Sequence, residues 1–373
     1  MKDDLVKPLG LQPGRKWYEQ PIPLAAAGIA AVAIVAGGAW YLTPAAKGPT
    51  VTATIDAPPK PAPPAADITA STKPAASTPA LTEMEPTGGL SDLNGEVIIH
   101  DPDHDSPVQI ASLPEPGLYE KTDQGPLPRV GPNGLRPLDA YSRPGISDSS
   151  QVRIAIVVGG VGIDADGTNR AIDDLPGEVT LAFAPYGDHL PAETTAALRA
   201  GHELLLQIPL EPFNYPQTNP GTNTLTSNAT PAENLTRLHW FMGRITNYVG
   251  VVNYMGARFT ADIGPLAPVM HEIGERGLMY LDDGTSARSR AAEVAGTTTP
   301  FVRADLVLDA ELSAEAIDDR LNQLRAIARE RGYAVATATA FPITIERLAA
   351  FAKTAADKGI TLVPISALAE NRS

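Results

Sequence analysis

From Pro144 onward, short uninterrupted apolar runs alternate with longer stretches of helical period, and this alternation constrains the fold more than any other feature of the chain. The runs fall at 154–158, 179–184, 204–208, 249–252, 278–281, 306–308, 334–338 and 361–365. Helix-like segments fill the gaps, near 168–175, 192–199, 231–244, 265–275, 314–331 and 344–358. An apolar run without polar alternation describes a strand covered on both faces, which is the signature of a buried parallel sheet. Stop and start signals agree: Ser313 with Glu315 opens one helix, and Gly332 closes it. The pattern predicts an α/β domain over 148–373, either a (β/α) barrel or a doubly wound sheet. In both architectures the functional residues sit beyond the C-terminal ends of the strands.

The N-terminal part reads differently. Residues 24–42 form an uncharged run of Ala, Ile, Val, Gly and Leu that ends with Trp40 and Tyr41. As a helix this run spans roughly 28 Å, the thickness of a hydrocarbon core. Lys2, Lys7, Arg15 and Lys16 precede it, so the 1–23 segment is expected to stay cytoplasmic, with the rest of the chain exported. Two other readings stay open, a cleaved signal peptide ending at Ala45 and Ala46 and a buried Ala-rich helix; the long charged leader favours an uncleaved anchor. Residues 43–90 are rich in Pro, Ala and Thr, which makes a semi-rigid tether that cannot bury a core. Between 91 and 147, short apolar pieces alternate with Pro and Gly, and an irregular arm lying against the domain is expected. A net charge of −14 argues against a nucleic-acid partner, and the absence of cysteine excludes disulfides and thiolate chemistry.

Taken in order, the strand ends carry Gly159-Gly160, Pro185-Tyr186, Gln207 with Glu211, Asn253-Tyr254, Asp282-Asp283, Asp309 and Thr339. Glu211, Asp282, Asp283 and Asp309 are the carboxylates of interest, with Arg258 and Arg288 as counter-charges. A structural role competes with a chemical one, since Asp282-Asp283-Gly284-Thr285-Ser286 also reads as a turn in which Asp binds backbone donors. No histidine falls at a strand end: His202 precedes its strand, while His100 and His104 lie in the arm and His189, His239 and His271 lie elsewhere. There is no Gly-x-Ser-x-Gly elbow, and the glycines at 159, 160 and 162 match no phosphate-binding fingerprint.

These residues resemble the divergent polysaccharide deacetylase family, over about 152–368. The resemblance rests on Ile154-Ala155-Ile156-Val157-Val158 followed by Gly162, Gly201-His202-Glu203, Pro209-Leu210-Glu211-Pro212, and Gly250 with Asn253, Met255 and Gly256. Leu281-Asp282-Asp283-Gly284-Thr285 with Ser289, Pro342 with Thr344, and Leu362-Val363-Pro364-Ile365-Ser366 complete it. It implies a distorted (β/α) barrel and metal-assisted hydrolysis of N-acetyl sugars, in which an ion polarises the amide and a carboxylate deprotonates water. At the positions where the resemblance places an Asp pair and three His, this chain has Gly159 and Gly160, Gln207, Tyr254 and Thr339. Glycine supplies neither ligand nor base, and Tyr and Gln are poor replacements for imidazole. No cofactor is therefore expected.

The first functional reading is a non-catalytic glycan-binding or scaffolding protein of the bacterial envelope. It would be held in the inner membrane by one helix, with its C-terminal domain periplasmic, and its partner would be a cell-envelope polysaccharide or peptidoglycan-like glycan. Tyr254, Tyr186 and Tyr215 would stack on sugar rings while Glu211, Asp282, Asp283, Asn253, Gln207 and Arg258 address hydroxyls. The second reading is an active deacetylase or esterase with Asp282, Asp283 or Glu211 as catalytic carboxylates. Its Mg²⁺, Mn²⁺ or Ca²⁺ would be held by oxygens of Glu211, Asp283 and Asp309. A third, an assembly factor engaging proteins through its acidic surface, has no motif of its own.

Overall fold

The computed structural model describes residues 97–100, 107–110, 115–143 and 151–369. The apolar run 24–42 and the stretch 43–90 lie outside the described residues. Among those described, no helix is long and apolar enough to cross a membrane.

In the arm, where little regular structure is expected, two antiparallel hairpins form: β1 (Val97–His100) with β2 (Pro107–Ile110), and β3 (Tyr119–Thr122) with β4 (Gly125–Pro128). A single helical turn, α1 (Pro137–Ala140), follows. These elements are too short for periodicity to reveal them, and tertiary contact sustains the second hairpin and α1. Leu127 joins the main core, and Leu118, Leu138 and Tyr141 join a second buried cluster.

The remaining strands are β5 (Val152–Val161), β6 (Thr180–Phe183), β7 (Leu204–Leu210), β8 (Gly250–Met255), β9 (Met279–Asp282), β10 (Phe301–Arg303), β11 (Leu306–Val307), β12 (Tyr333–Thr339) and β13 (Ile360–Leu362). All pair in parallel, in the order β10-β9-β8-β7-β6-β5-β12-β11, with β13 alongside the start of β5. One short segment joins the two edges of this row. Its β10 part pairs with β9, and then Ala304 N–H donates to Asp282 O (2.9 Å), Asp305 N–H to Val335 O (2.8 Å) and Leu308 N–H to Thr337 O (2.9 Å). The row thus curls into the distorted (β/α) barrel.

Helices α2 (Ala165–Asp174), α3 (Leu190–Arg199), α4 (Pro231–Met242), α5 (Ile263–Glu275), α6 (Ala291–Ala295), α7 (Ala314–Arg331) and α8 (Pro342–Lys353) connect the strands. Local chemistry sets their ends. The Asp164 carboxylate caps α2 through Gly167 N–H, Thr230 and Glu233 form a reciprocal capping box on α4, and Ser313 caps α7, which Gly332 ends at φ +85°. β10 and α6 were not legible in the sequence, being only three and five residues long. The last helix stops at Lys353 instead of running to 358, and a separate turn, Ala356–Lys358, follows it.

Along β5 the pleat sends Ile154, Ile156 and Val158 towards the helices and Ala155 and Val157 to the inner cluster. The inner positions are mostly small, as a narrow barrel requires. The arm and the C-terminal segment plug the end where the strands begin: Leu138 N–H donates to Gly277 O just before β9, and Ile365 N–H to Thr180 Oγ1 at the start of β6. The opposite end is left for a cavity.

Candidate binding site at the C-terminal ends of the strands

A cavity of about 900 Å³ opens where the strands end. Its wall draws on Gly159 and Gly160 of β5, Gln207 of β7, Asn253 and Tyr254 of β8, Asp283 after β9, and Thr337 and Thr339 of β12. Of the residues singled out in the sequence, Tyr186, Gln207, Asn253, Tyr254, Asp283 and Thr339 therefore meet around one space. Glu211, Arg258, Asp282, Asp309, Tyr215 and Arg288 do not line it.

The carboxylates outside the wall have structural work. Glu211 is buried, accepts the Ser227 N–H at 2.6 Å, and lies 3.5 Å from the Arg258 guanidinium. Asp309 accepts Thr339 N–H (2.7 Å) and Thr344 Oγ1–H (3.1 Å), fastening the end of β12 to the first turn of α8. Burial raises its pKa. Asp282 is buried and accepts Gly284 N–H at 3.0 Å within the turn. Arg288 lies over the Phe213 ring. The oxygen set of Glu211, Asp283 and Asp309 is thus not assembled, because each carboxylate is bound to different partners: Ser227, Thr285, and Thr339 with Thr344. Among the described residues, no group of three or more His, Cys, Asp or Glu is placed to hold a metal ion.

Asp283 combines the two expected roles. Its Oδ1 accepts Thr285 N–H (2.9 Å) and Oγ1–H (2.7 Å), the Asx turn that the sequence suggests, and the residue also lines the cavity. Its own N–H donates to Asn253 Oδ1 at 2.9 Å, while Asn253 Nδ2 donates to Met255 O at 2.8 Å. The Asn253 amide thereby braces a left-handed Met255, at φ +59°. Burial pushes the Asp283 carboxyl above its ordinary pKa, so the folded chain holds its proton more tightly than the unfolded one does. Stability contributed by this group falls as pH rises from the unfolded pKa towards the raised folded value. Asp283→Asn keeps the oxygen that Thr285 needs, so at neutral pH it is expected to melt higher than the parent. That difference should shrink as pH falls towards 4, with unfolding followed by circular dichroism; an equal or lower melting temperature at pH 7 would contradict it.

Gln207 folds back over β5. Its Oε1 accepts Gly160 N–H at 2.9 Å, and a Cβ added at Gly159 would lie 2.7 Å from its Nε2. Tyr186 packs edge-on against Phe241 and tilted against Trp240, and donates to Thr222 O at 2.5 Å; burial raises its pKa to about 12. Tyr254 stays open, 41% exposed.

The sequence reading missed the apolar rim. Ile163 (60% exposed) and Phe341 (41% exposed) line the cavity with Tyr254, alongside Pro185, Pro209, Pro212 and Pro220. A large apolar residue inside Gly162-Ile163-Asp164, a stretch with turn composition, was the available signal. His202 lies away from the cavity, with Nδ1 2.8 Å from Val179 O and Nε2 3.2 Å from Ile172 O; burial lowers its pKa.

A family model described as divergent polysaccharide deacetylase matches residues 156–369. The chain belongs to that family. Among the relatives of this deacetylase-family chain is the YibQ protein of Escherichia coli (strain K12), 24% identical over 197 residues, which cover 52% of this chain and 61% of YibQ. A protein of Haemophilus influenzae is 26% identical over 146 residues, covering 39% of this chain and 51% of the relative. The chain therefore spans between half and two thirds of the length of these curated relatives. A crystal structure of an Agrobacterium tumefaciens C58 protein superposes with a TM-score of 0.64 at 47% identity, covering 65% of this chain and 99% of that one.

Proposed function

We propose that this divergent deacetylase domain binds an envelope glycan at the C-terminal face of its barrel without hydrolysing it. The run 24–42 would tether the domain to the inner membrane, with the domain on the periplasmic side. The observation that carries the reading is the seat of Gln207. Its amide occupies the space into which a side chain at 159 would project and holds the Gly160 N–H, so the end of β5 presents a neutral amide where the resemblance leads one to expect an acidic ligand and base. Tyr254 and Thr339 stand on the same wall where the resemblance places imidazoles, and among the described residues no three His, Cys, Asp or Glu are grouped to hold an ion. Metal-assisted hydrolysis needs both an ion and a base, whereas binding needs neither. The open Tyr254 ring supplies a stacking surface for a sugar face.

The test uses the full chain purified without chelator. Metal content by mass spectrometry is expected to stay far below one ion per chain, and acetylated chito-oligosaccharide is expected to release no acetate. Calorimetry with the same oligosaccharide should show binding that Tyr254→Ala weakens by about tenfold, as loss of a stacked aromatic contact implies. Stoichiometric metal together with acetate release would overturn the proposal, and so would a lack of oligosaccharide binding.

A further inference from the structure

The polar groups on the cavity wall are largely committed to the protein. Asn253 uses both ends of its amide, on Asp283 N–H and Met255 O. Gln207 gives its carbonyl oxygen to Gly160, Tyr186 its hydroxyl to Thr222 O, and Asp283 one carboxylate oxygen to Thr285; Thr337 Oγ1–H donates to Asp283 O at 3.3 Å. Val157, Ala182, Val252, Val307 and Ala338 supply apolar wall between them. A sugar ring pushed into such a space would lose its water partners and gain few in return, which is costly for every hydroxyl. At the mouth, Ile163, Tyr254 and Phe341 are three of the six large apolar residues exposed in the described part of the chain. Exposed apolar side chains gathered at one opening mark a ligand site.

We infer that the ligand is an amphiphilic glycan: a saccharide held at the mouth whose attached hydrocarbon chain enters the cavity. The inference rests on the glycan-binding reading and specifies its ligand class. The volume of about 900 Å³ is at the large end for a small-molecule site and leaves room for a chain beside the sugar.

The test is calorimetry with the full chain in a fluorinated surfactant, which does not mix with alkyl chains, using methyl, butyl and octyl N-acetyl-β-glucosaminides below micelle formation. Affinity is expected to rise by about fourfold for each buried methylene, and by about a hundredfold or more from methyl to octyl. Octyl and 3,7-dimethyloctyl aglycones then separate a fatty chain from an isoprenoid one. Ala257→Trp and Ala340→Trp put bulk on partly exposed wall positions, and each should flatten the dependence on chain length while melting like the parent. If one variant fails to fold, the other carries the comparison. Equal affinity for all three glucosaminides would overturn this inference and leave the glycan reading standing. Octanoate binding as tightly as the octyl glucosaminide would overturn both, since the sugar would then add nothing. A chain-length effect that persists in both folded variants would move the chain out of this cavity and overturn the inference as well.

Discussion

Glu203→Ala is expected to destabilise the domain by about 3–5 kcal/mol, the summed cost of losing several buried hydrogen bonds to one carboxyl group. Glu203 is almost fully buried immediately before β7. Its carboxyl group accepts Arg143 N–H at 3.2 Å, Ser366 N–H at 3.1 Å and Ser366 Oγ–H at 2.5 Å. It thus ties together the arm, the barrel and the C-terminal segment. Truncation removes the carboxyl acceptor from these donors, at a cost for each buried bond lost. Arg143 is anchored from both sides in the parent, with Nη1 donating to Gly201 O at 2.9 Å and Nη2 2.7 Å from Glu178. For a domain of this size the loss corresponds to a melting temperature lower by roughly 10 °C. Thermal unfolding followed by circular dichroism reads this directly. Glu203→Gln, which keeps an acceptor, should fall between the two, and a loss under about 1 kcal/mol for the alanine variant would show that the network is dispensable.

Gly250→Ala should cost about 3 kcal/mol, at the upper end for inserting one methyl group into a packed core. Gly250 opens β8 opposite Met279 of β9. A Cβ there would stand 2.4 Å from Met279 O and 2.3 Å from Met279 Cγ. The methionine side chain can swing aside, but the carbonyl belongs to the neighbouring strand, so relief requires β8 and β9 to separate. Because their far ends carry Asn253 and Asp283, the variant should also weaken ligand binding at the cavity. Denaturant unfolding measures the first effect and calorimetry the second. A stability change below about 1 kcal/mol would mean that the strands part more easily than their parallel register suggests.

Legibility in the sequence followed the range of the forces involved. The apolar runs at 154–158, 204–208 and 334–338 became β5, β7 and β12, since both faces of each are covered and the composition records it. Ser313 and Gly332 marked α7 because capping acts within a few residues. β10, α6 and the arm hairpins escaped, since strands and helices of three to five residues owe their shape to what they pair with. Among the candidate site residues, Asp282 and Asp283 are adjacent on an extended chain, so they point to opposite sides and only Asp283 reaches the cavity wall. Glu211 and Asp309 looked equivalent to it in the sequence, yet one binds Ser227, 16 residues on, and the other Thr339, 30 residues on.

By itself, then, the sequence determined the parallel (β/α) architecture, the family and the end of the barrel at which the cavity opens, because hydrophobic period and strand direction are encoded locally. Only the tertiary structure decided which of the four candidate carboxylates are ties and that Asp283 among them faces the cavity, that Gln207 closes over Gly159 and Gly160, and that the wall between the polar groups is apolar. Those outcomes depend on where hydrogen-bond partners from distant segments converge, and a linear pattern of residues does not record that convergence.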